Sequence, residues 1–321
     1  MHRQKLIHQL DLIYYPILAA VGVPVNLVAM MILSRGNCGL SQCITRYLVA
    51  MSVADLLVVI FDVILYRISY IYFRGSFLDI TPVCCLIIVL LNAATDTSVW
   101  LTVTFTFDRF VAVCCQKLKT KYCTKETAAV VIVTVCVLSL LKCIPWYFVF
   151  GPQYITDNVP WDCIVKQTYF SSFGWAAFAW LHRILTPLLP FALILLLNVL
   201  TVRYILVASR ARRRLRGHSS GEKDSDPEMK NRRKSIVLLF AISGSFVLLW
   251  MTGVLYFLLL RITNAYYYKG PYNPVFILQQ TSRMLQLLSC CTNTCIYAVT
   301  QTKFRAQLKN AVMYLFTRIR N

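Results

Sequence analysis

Charge is scarce in this chain. Only 14% of its 321 residues are Asp, Glu, Lys or Arg, and 58% are hydrophobic. An ordinary soluble domain carries roughly 25% charge, so a water-soluble globular fold is excluded. Acidic residues are the scarcer sign, 13 against 33 Lys and Arg, for a net charge of +20. Such an excess is a nucleic-acid signal when it covers one exposed face. Here it sits between apolar runs, so no nucleic-acid partner is expected, and Arg210-Ala-Arg-Arg-Arg-Leu-Arg216 reads as an anchor on anionic lipid. No Pro/Gly/Ser-rich linker, internal repeat or low-complexity tract divides the chain. That leaves one domain and removes the repeat that commonly marks a transporter. No Asn-x-Ser/Thr sequon is present, so no N-glycan is expected. His-Glu-x-x-His, Gly-x-Ser-Gly and a paired intramembrane Asp arrangement are all missing, and the chain is not read as an enzyme.

What the chain has is long apolar runs. About 20 apolar residues cross roughly 30 Å of hydrocarbon. Seven runs qualify: 12–33, 46–66, 83–107, 127–149, 179–202, 235–260 and 275–299. The first is too long for a cleaved leader and lacks a small-residue cleavage site, so it is read as a span. The expected fold is an all-α membrane protein, a seven-helix bundle in one domain over 1–321, with a short N-terminal segment 1–11. With the N-terminus outside, 23 Lys and Arg fall in inner segments and 7 in outer ones. The positive-inside rule then predicts an extracellular N-terminus and a cytosolic C-terminus. Of 13 cysteines, three lie on the outer side: Cys84, Cys85 and Cys163. A disulfide from Cys163 to Cys84 or Cys85 would pin the second outer loop over the bundle.

Polar groups in hydrocarbon are costly unless partnered, and here they recur at helical spacing. Asp55, Val59, Asp62 and Tyr66 form one stripe; Ser98, Thr102, Phe105 and Arg109 form another. Asn92, Asp96 and Val99 form a third, and Arg283, Gln286, Cys290, Asn293 and Tyr297 a fourth. Each stripe is expected to face inward. Asp55, Ser98, Ser289 and Asn293 fall near mid-membrane. They read as a directly bonded polar cluster or as a sodium site, a carboxylate with neutral oxygen donors; no other metal or cofactor is expected. Nearer the outer face lie Asp62, Asn92, Asp96, His182, Arg183 and Arg283, with Trp175, Trp180, Phe246, Trp250 and Phe257 close by. This layer suits a zwitterion with an aromatic body: Arg to carboxylate, Asp to ammonium, ring to ring. The alternative is internal Asp–Arg pairing that knits helices together. Arg109 closes the third span beside Asp108, on the inward stripe.

Taken in order, these residues resemble the rhodopsin-like (class A) G-protein-coupled receptors over almost the whole chain. The motifs are Gly22-x-x-x-Asn26, Ser52-Val-Ala-Asp55-Leu56, and Cys84 placed 25 residues before the Arg of Asp108-Arg109-Phe110. Leu189-Pro190-Phe191 follows, with Asn198 where many members have Tyr, then Phe246, Trp250 and Asn293-Thr-Cys-Ile-Tyr297. Lys303-Phe304-Arg305 opens a short amphipathic helix, 302–316, with Phe304, Leu308, Val312 and Leu315 on its apolar side. The resemblance implies a Cys84–Cys163 disulfide and G-protein coupling through Asp108, Arg109, Asn198 and Tyr297. It implies a polar switch or allosteric sodium site at Asp55, Ser98, Ser289 and Asn293. It also implies a ligand cavity including Asp62, Asn92, Asp96, His182, Arg183, Trp250, Phe257 and Arg283.

The departures are specific. Thr252 stands where the family has Pro after Trp250, Thr294 replaces the Pro after Asn293, and the fourth span lacks its usual Trp. Without those prolines the sixth and seventh helices lose a ready-made kink. No acidic residue neighbours Arg232-Arg233-Lys234, so Arg109 is expected to pair with Asp108. Leu91 occupies the place where amine receptors hold their Asp, so a monoamine is not expected. Leu189-Pro-Phe…Leu-Leu-Asn198 and Asp96 resemble the orphan branch of probable G-protein-coupled receptor 139, related to invertebrate-type peptide receptors and associated with aromatic amino acids and the Gq class. The expected function is a plasma-membrane receptor for an extracellular aromatic amino acid-like molecule or short peptide. Its partners would be a heterotrimeric G protein, membrane lipid, arrestin and receptor kinases. The rival is a transporter or channel using the same intramembrane charges.

Overall fold

The computed structural model describes residues 2–36, 38–216, 227–263 and 274–320. Six of its helices are long and apolar enough to cross a membrane: Gln9–Ser34, Gln42–Tyr72, Thr81–Cys114, Lys125–Val149, Phe173–Arg210 and Arg233–Leu259. They are called here the first to sixth helices. The seventh, Pro274–Thr300, is as long but more polar. Gln280, Arg283, Gln286 and Asn293 dilute its apolar surface and line interior cavities instead. A tail helix, Thr302–Arg320, follows. The expected seven-helix bundle is what the chain forms, with the third helix packed against the second, fourth, fifth and sixth.

Local chemistry sets the helix ends. Ser41 caps the second helix by accepting from the Ile44 amide, and Thr124 caps the fourth by accepting from Thr127. Pro82 occupies the first turn of the third helix, where an amide donor is not needed. The second helix changes its winding midway, to a π-helical stretch over Val59–Ile68. An α-helix turns residues five apart well away from each other, whereas wider winding brings them together. Asp62 and Arg67 therefore meet on one face, while Tyr66 is 38% exposed. The stripe expected through Tyr66 thus slips by one residue, and Arg67 takes the inward place. The fifth helix is interrupted at Thr186, whose backbone is extended, just before Pro187.

The longest connection, between the fourth and fifth helices, folds into two short antiparallel ladders, Phe150–Gly151 with Ile164–Val165 and Tyr154–Thr156 with Val159–Trp161. Asp157 and Asn158 make its turn with φ of 52° and 61°, residue types that tolerate the left-handed region. Cys84 and Cys163 are disulfide-bonded, so this hairpin is fastened to the start of the third helix. Thr81 Oγ1 donates to the Asp162 carbonyl at 2.7 Å beside it.

The largest buried cluster lies toward the opposite end. Tyr47, Leu48, Met51, Leu101, Phe105, Leu238, Ile242 and Tyr297 join there with Phe304, which seats the tail helix. On the fourth helix Val130, Val133, Val137 and Leu141 face outward at steps of three and four, while Ser139 and Cys143 face in. Outward apolar side chains with every backbone group satisfied within the helix are what acyl chains require.

Gly22 permits a close approach of the first helix to the second and seventh. A Cβ there would stand 2.9 Å from Val59 Cγ2 and 3.0 Å from Cys291 Sγ. Asn26 fixes the same seam, its Nδ2 donating to the Gly22 and Cys290 carbonyls at 2.9 Å each. Gly22→Val is expected to cost about 1–3 kcal/mol by overpacking, read as a lower melting temperature of the purified protein. Gly244→Ala, with no atom within 4 Å of the added carbon, serves as the neutral control. Equal melting of the two variants would contradict the packing described.

Candidate functional site

Polar side chains inside the bundle gather in three layers. The first lies at the end away from the disulfide. Asp108 and Arg109 are both buried, and Arg109 pairs with Asp108 through Nε at 2.9 Å and through Nη2. Its Nη1 reaches Ser235 Oγ on the sixth helix at 3.2 Å. Asp108 Oδ1 accepts from Cys43 Sγ at 3.2 Å, and the Asp108 carbonyl from Cys123 Sγ at 3.6 Å. Burial and the Asp108 carboxylate push the Cys123 thiol up to about 12, so it stays a donor. The two thiols were not identifiable from sequence; only the packing of distant segments brings them here. Arg109 is thus held by its neighbour in the chain, and the sixth helix is tied to it by a neutral hydroxyl alone. Nearby, Asn198 Nδ2 donates to Ser243 Oγ at 2.9 Å, joining the fifth helix to the sixth. Tyr297 is fully buried, edge-on to Phe304 at 5.9 Å.

The middle layer centres on Asp55, 1% exposed. Its Oδ1 accepts from Ser98 Oγ at 2.6 Å and its Oδ2 from Asn293 Nδ2 at 2.8 Å, joining the second, third and seventh helices. Ser289 stands apart from the carboxylate. It accepts from Trp250 Nε1 at 3.3 Å and donates to the Gln286 carbonyl at 2.5 Å. Trp250 stacks on Phe246 at 5.2 Å. The geometry is that of a directly bonded cluster. Ser98 and Ser289 nevertheless share the lining of a cavity of about 50 Å³. The Asp55 carboxylate is not part of that lining; it is taken up by Ser98 and Asn293.

The third layer lies toward the disulfide and is built on two ion pairs. Asp62 Oδ1 accepts from Arg67 Nε at 2.6 Å; the guanidinium also donates to Tyr15 Oη at 3.0 Å and lies 5.0 Å over that ring. Asp96, 1% exposed, takes Lys142 Nζ at 2.5 Å and Cys143 Sγ at 3.1 Å on Oδ2, and Thr186 Oγ1 at 2.6 Å on Oδ1. Lys142 Nζ also donates to Thr186 Oγ1 at 2.9 Å. Neither Arg67 nor Lys142 is among the candidates read from sequence. The first needed the π-helical stretch, and the second sits near the end of its span, where a lysine passes for an interfacial residue. Asp96 therefore faces the seam of the third, fourth and fifth helices.

Asp62, Arg67, Trp250, Arg283 and Gln286 line the cavity of about 50 Å³ above the middle layer. Arg283 makes no ion pair among the described residues. Arg67 also borders a second cavity of about 470 Å³ between the first, second and seventh helices, with Asp11, Tyr15, Tyr66, Tyr70, Arg74 and Gln280. The candidate residues did not include this cavity, for its residues come from three helices with no shared spacing. Arg183 lies 5.6 Å over the Phe257 ring, and His182 packs edge-on to Trp146 at 5.2 Å. Asn92 donates to its own helix, at the Ile88 carbonyl.

A charged arginine locked at one end of a seven-helix bundle, a disulfide-pinned hairpin at the other and a buried acid between them define a class, and the chain's sequence agrees. It matches the 7 transmembrane receptor (rhodopsin family) over residues 25–297 and belongs to that family. It is 24% identical over 304 residues to the FMRFamide receptor of Drosophila melanogaster, a match covering 90% of this chain and 51% of that protein. It is 23% identical over 314 residues to the Allatostatin-A receptor of Bombyx mori, covering 97% of this chain and 81% of that protein. This chain thus spans about half the length of the first relative and about four fifths of the second.

Removing one partner of a buried ion pair costs roughly 3–5 kcal/mol, while removing both is often close to neutral. Lys142→Met is therefore expected to lower the melting temperature sharply, and Asp96→Asn with Lys142→Met to recover most of the loss. Additive losses in the double variant would mean that the pair is not a unit.

Proposed function

We propose that this chain is a plasma-membrane receptor whose disulfide end faces outside and whose Asp108–Arg109 end faces the cytosol. The crowding of Lys and Arg at the latter end supports that orientation. The ligand is a short peptide that enters between the first, second and seventh helices and reaches Arg283. One observation carries this reading: Arg283, without an ion pair among the described residues, shares a cavity with Trp250 and Ser289. The ligand's terminal oxygen would accept from its guanidinium. Two relatives named for peptides support a peptide over a free aromatic amino acid. The amino-acid reading keeps the same arginine, with Trp250 and Phe257 as its aromatic neighbours.

Binding shifts a population only by its differential affinity for the two conformers. The sixth helix is the element to move. Between it and the third and fifth helices stand the Arg109–Ser235 bond and the Asn198–Ser243 bond, two hydroxyl contacts rather than an ion pair. Parting the fifth and sixth helices frees Arg109 to receive a heterotrimeric G protein, of the Gq class on the resemblance described, with arrestin and receptor kinases as further partners. Sodium at Asp55, Ser98 and Ser289 would favour the closed conformer, since the ion and the inward collapse of the seventh helix compete for one carboxylate.

In cells expressing the chain, a screen of short amidated peptides and aromatic amino acids for calcium and cAMP responses is expected to return a peptide. Arg283→Ala is expected to raise the half-maximal concentration at least about tenfold, the worth of one charged hydrogen bond. Arg109→Ala is expected to abolish the response at equal surface expression. Wild-type behaviour of both variants, or substrate flux without signalling, would contradict the receptor reading. Asp55→Asn is expected to remove any inhibition by sodium against a potassium control.

A further inference from the structure

We propose that Asp96, Cys143 and His182 form a binding site for a transition-metal ion of zinc's class, at the seam of the third, fourth and fifth helices. One ligand atom from each lies within 4.8 Å of the other two. The three come from three different helices, so the bundle, not local sequence, assembles them. Asp96 and Cys143 are 1% and 0% exposed, and His182 is half-buried.

A carboxylate oxygen, a thiol sulfur and an imidazole nitrogen are a mixed set that hard cations such as calcium do not favour and that zinc accepts, with water in a fourth position. Zinc bonds of about 2.0–2.3 Å put tetrahedral ligand atoms roughly 3.3–3.8 Å apart. The Cys143–Asp96 separation of 3.1 Å falls just short of that range and would open by a few tenths of an ångström. The widest pair would close by about 1 Å. A second observation also points to a ligand. His182 Nδ1 is buried and has no hydrogen-bond partner, which is costly for a polar atom. Trp146 and Phe178 pack on its ring at 5.2 and 6.2 Å and hold it in place.

Lys142 is the resident cation, with Nζ against Asp96 and Thr186. Zinc and the ammonium compete for the same carboxylate. When zinc binds, the Cys143 S–H bond breaks, a Zn–S bond forms and the proton leaves to solvent. No electron is transferred, and the Lys142 head withdraws on its flexible stem. The seam thus has two states, one closed by lysine and one by metal.

The test uses the purified full chain in nanodiscs with zinc chloride alone. Micromolar zinc is expected to raise the melting temperature of the wild type, and to raise that of Lys142→Gln further, with at least about tenfold tighter apparent binding as the competing charge is removed. Cobalt in place of zinc is expected to give a thiolate-to-metal absorption band in the near ultraviolet, absent from Cys143→Ser. His182→Ala, the least buried of the three changes, is expected to lose the zinc shift and decides the matter should Cys143→Ser not yield folded protein. No cobalt band in the wild type would overturn the site. So would a zinc shift of equal size in His182→Ala, which would place the metal on other thiols.

Discussion

A carboxylate in the interior of a membrane bundle is the constraint on which this structure turns. Taking such a group out of water is expensive, and the medium around the bundle offers nothing in return. Asp55, Asp62, Asp96 and Asp108 are all buried, and each is met by donors. Asp62 and Asp108 take arginine, Asp96 takes lysine and two hydrogen-bonding groups, and Asp55 takes two neutral donors. Helix positions follow where the donors come from other helices, as at Asp55 and Asp96. The third helix turns Ser98 and Asp108 to the second helix and Asp96 to the fourth and fifth, and this is why it sits at the centre.

The three layers differ in how firmly they are tied. Lysine, threonine and cysteine hold Asp96 from two other helices, so the seam of the third, fourth and fifth helices is the rigid side. The sixth helix is joined to the third and fifth by hydroxyls at Ser235 and Ser243, and to the seventh through Trp250–Ser289 and Ser245–Thr292. It also lacks the proline that would otherwise bend it at Thr252. An element held to the third and fifth helices by hydroxyls alone can part from them, and a small shift at Trp250 can be carried along its length to Arg109.

Much of this was legible in the sequence. Apolar runs of 20 or more residues dictate the helices, and the Asp108–Arg109 contact needed only adjacency. The Cys84–Cys163 bond, left open between Cys84 and Cys85 by the residues alone, followed from the resemblance and is what forms. The failures share one cause. Stripe reasoning assumes uniform α-helical winding, so the π-helical stretch that swaps Tyr66 for Arg67 was invisible to it. Pairings between helices carry no spacing at all, which hid Lys142 from Asp96 and Cys43 from Asp108. The seventh helix, read from sequence as 275–299, forms over Pro274–Thr300, and its polar face finds partners inside the bundle.

The most direct test of the central claim is a double-mutant cycle on Asp62 and Arg67, read by thermal unfolding of the receptor in nanodiscs. The pair exists only if the second helix widens where described, and only if its charges face one another within the bundle. The account predicts that Asp62→Asn and Arg67→Gln are each destabilising and that together they are non-additive by about 1–3 kcal/mol. Additivity within about 0.5 kcal/mol would mean that the two charges do not meet, and that this buried acid is not satisfied as described.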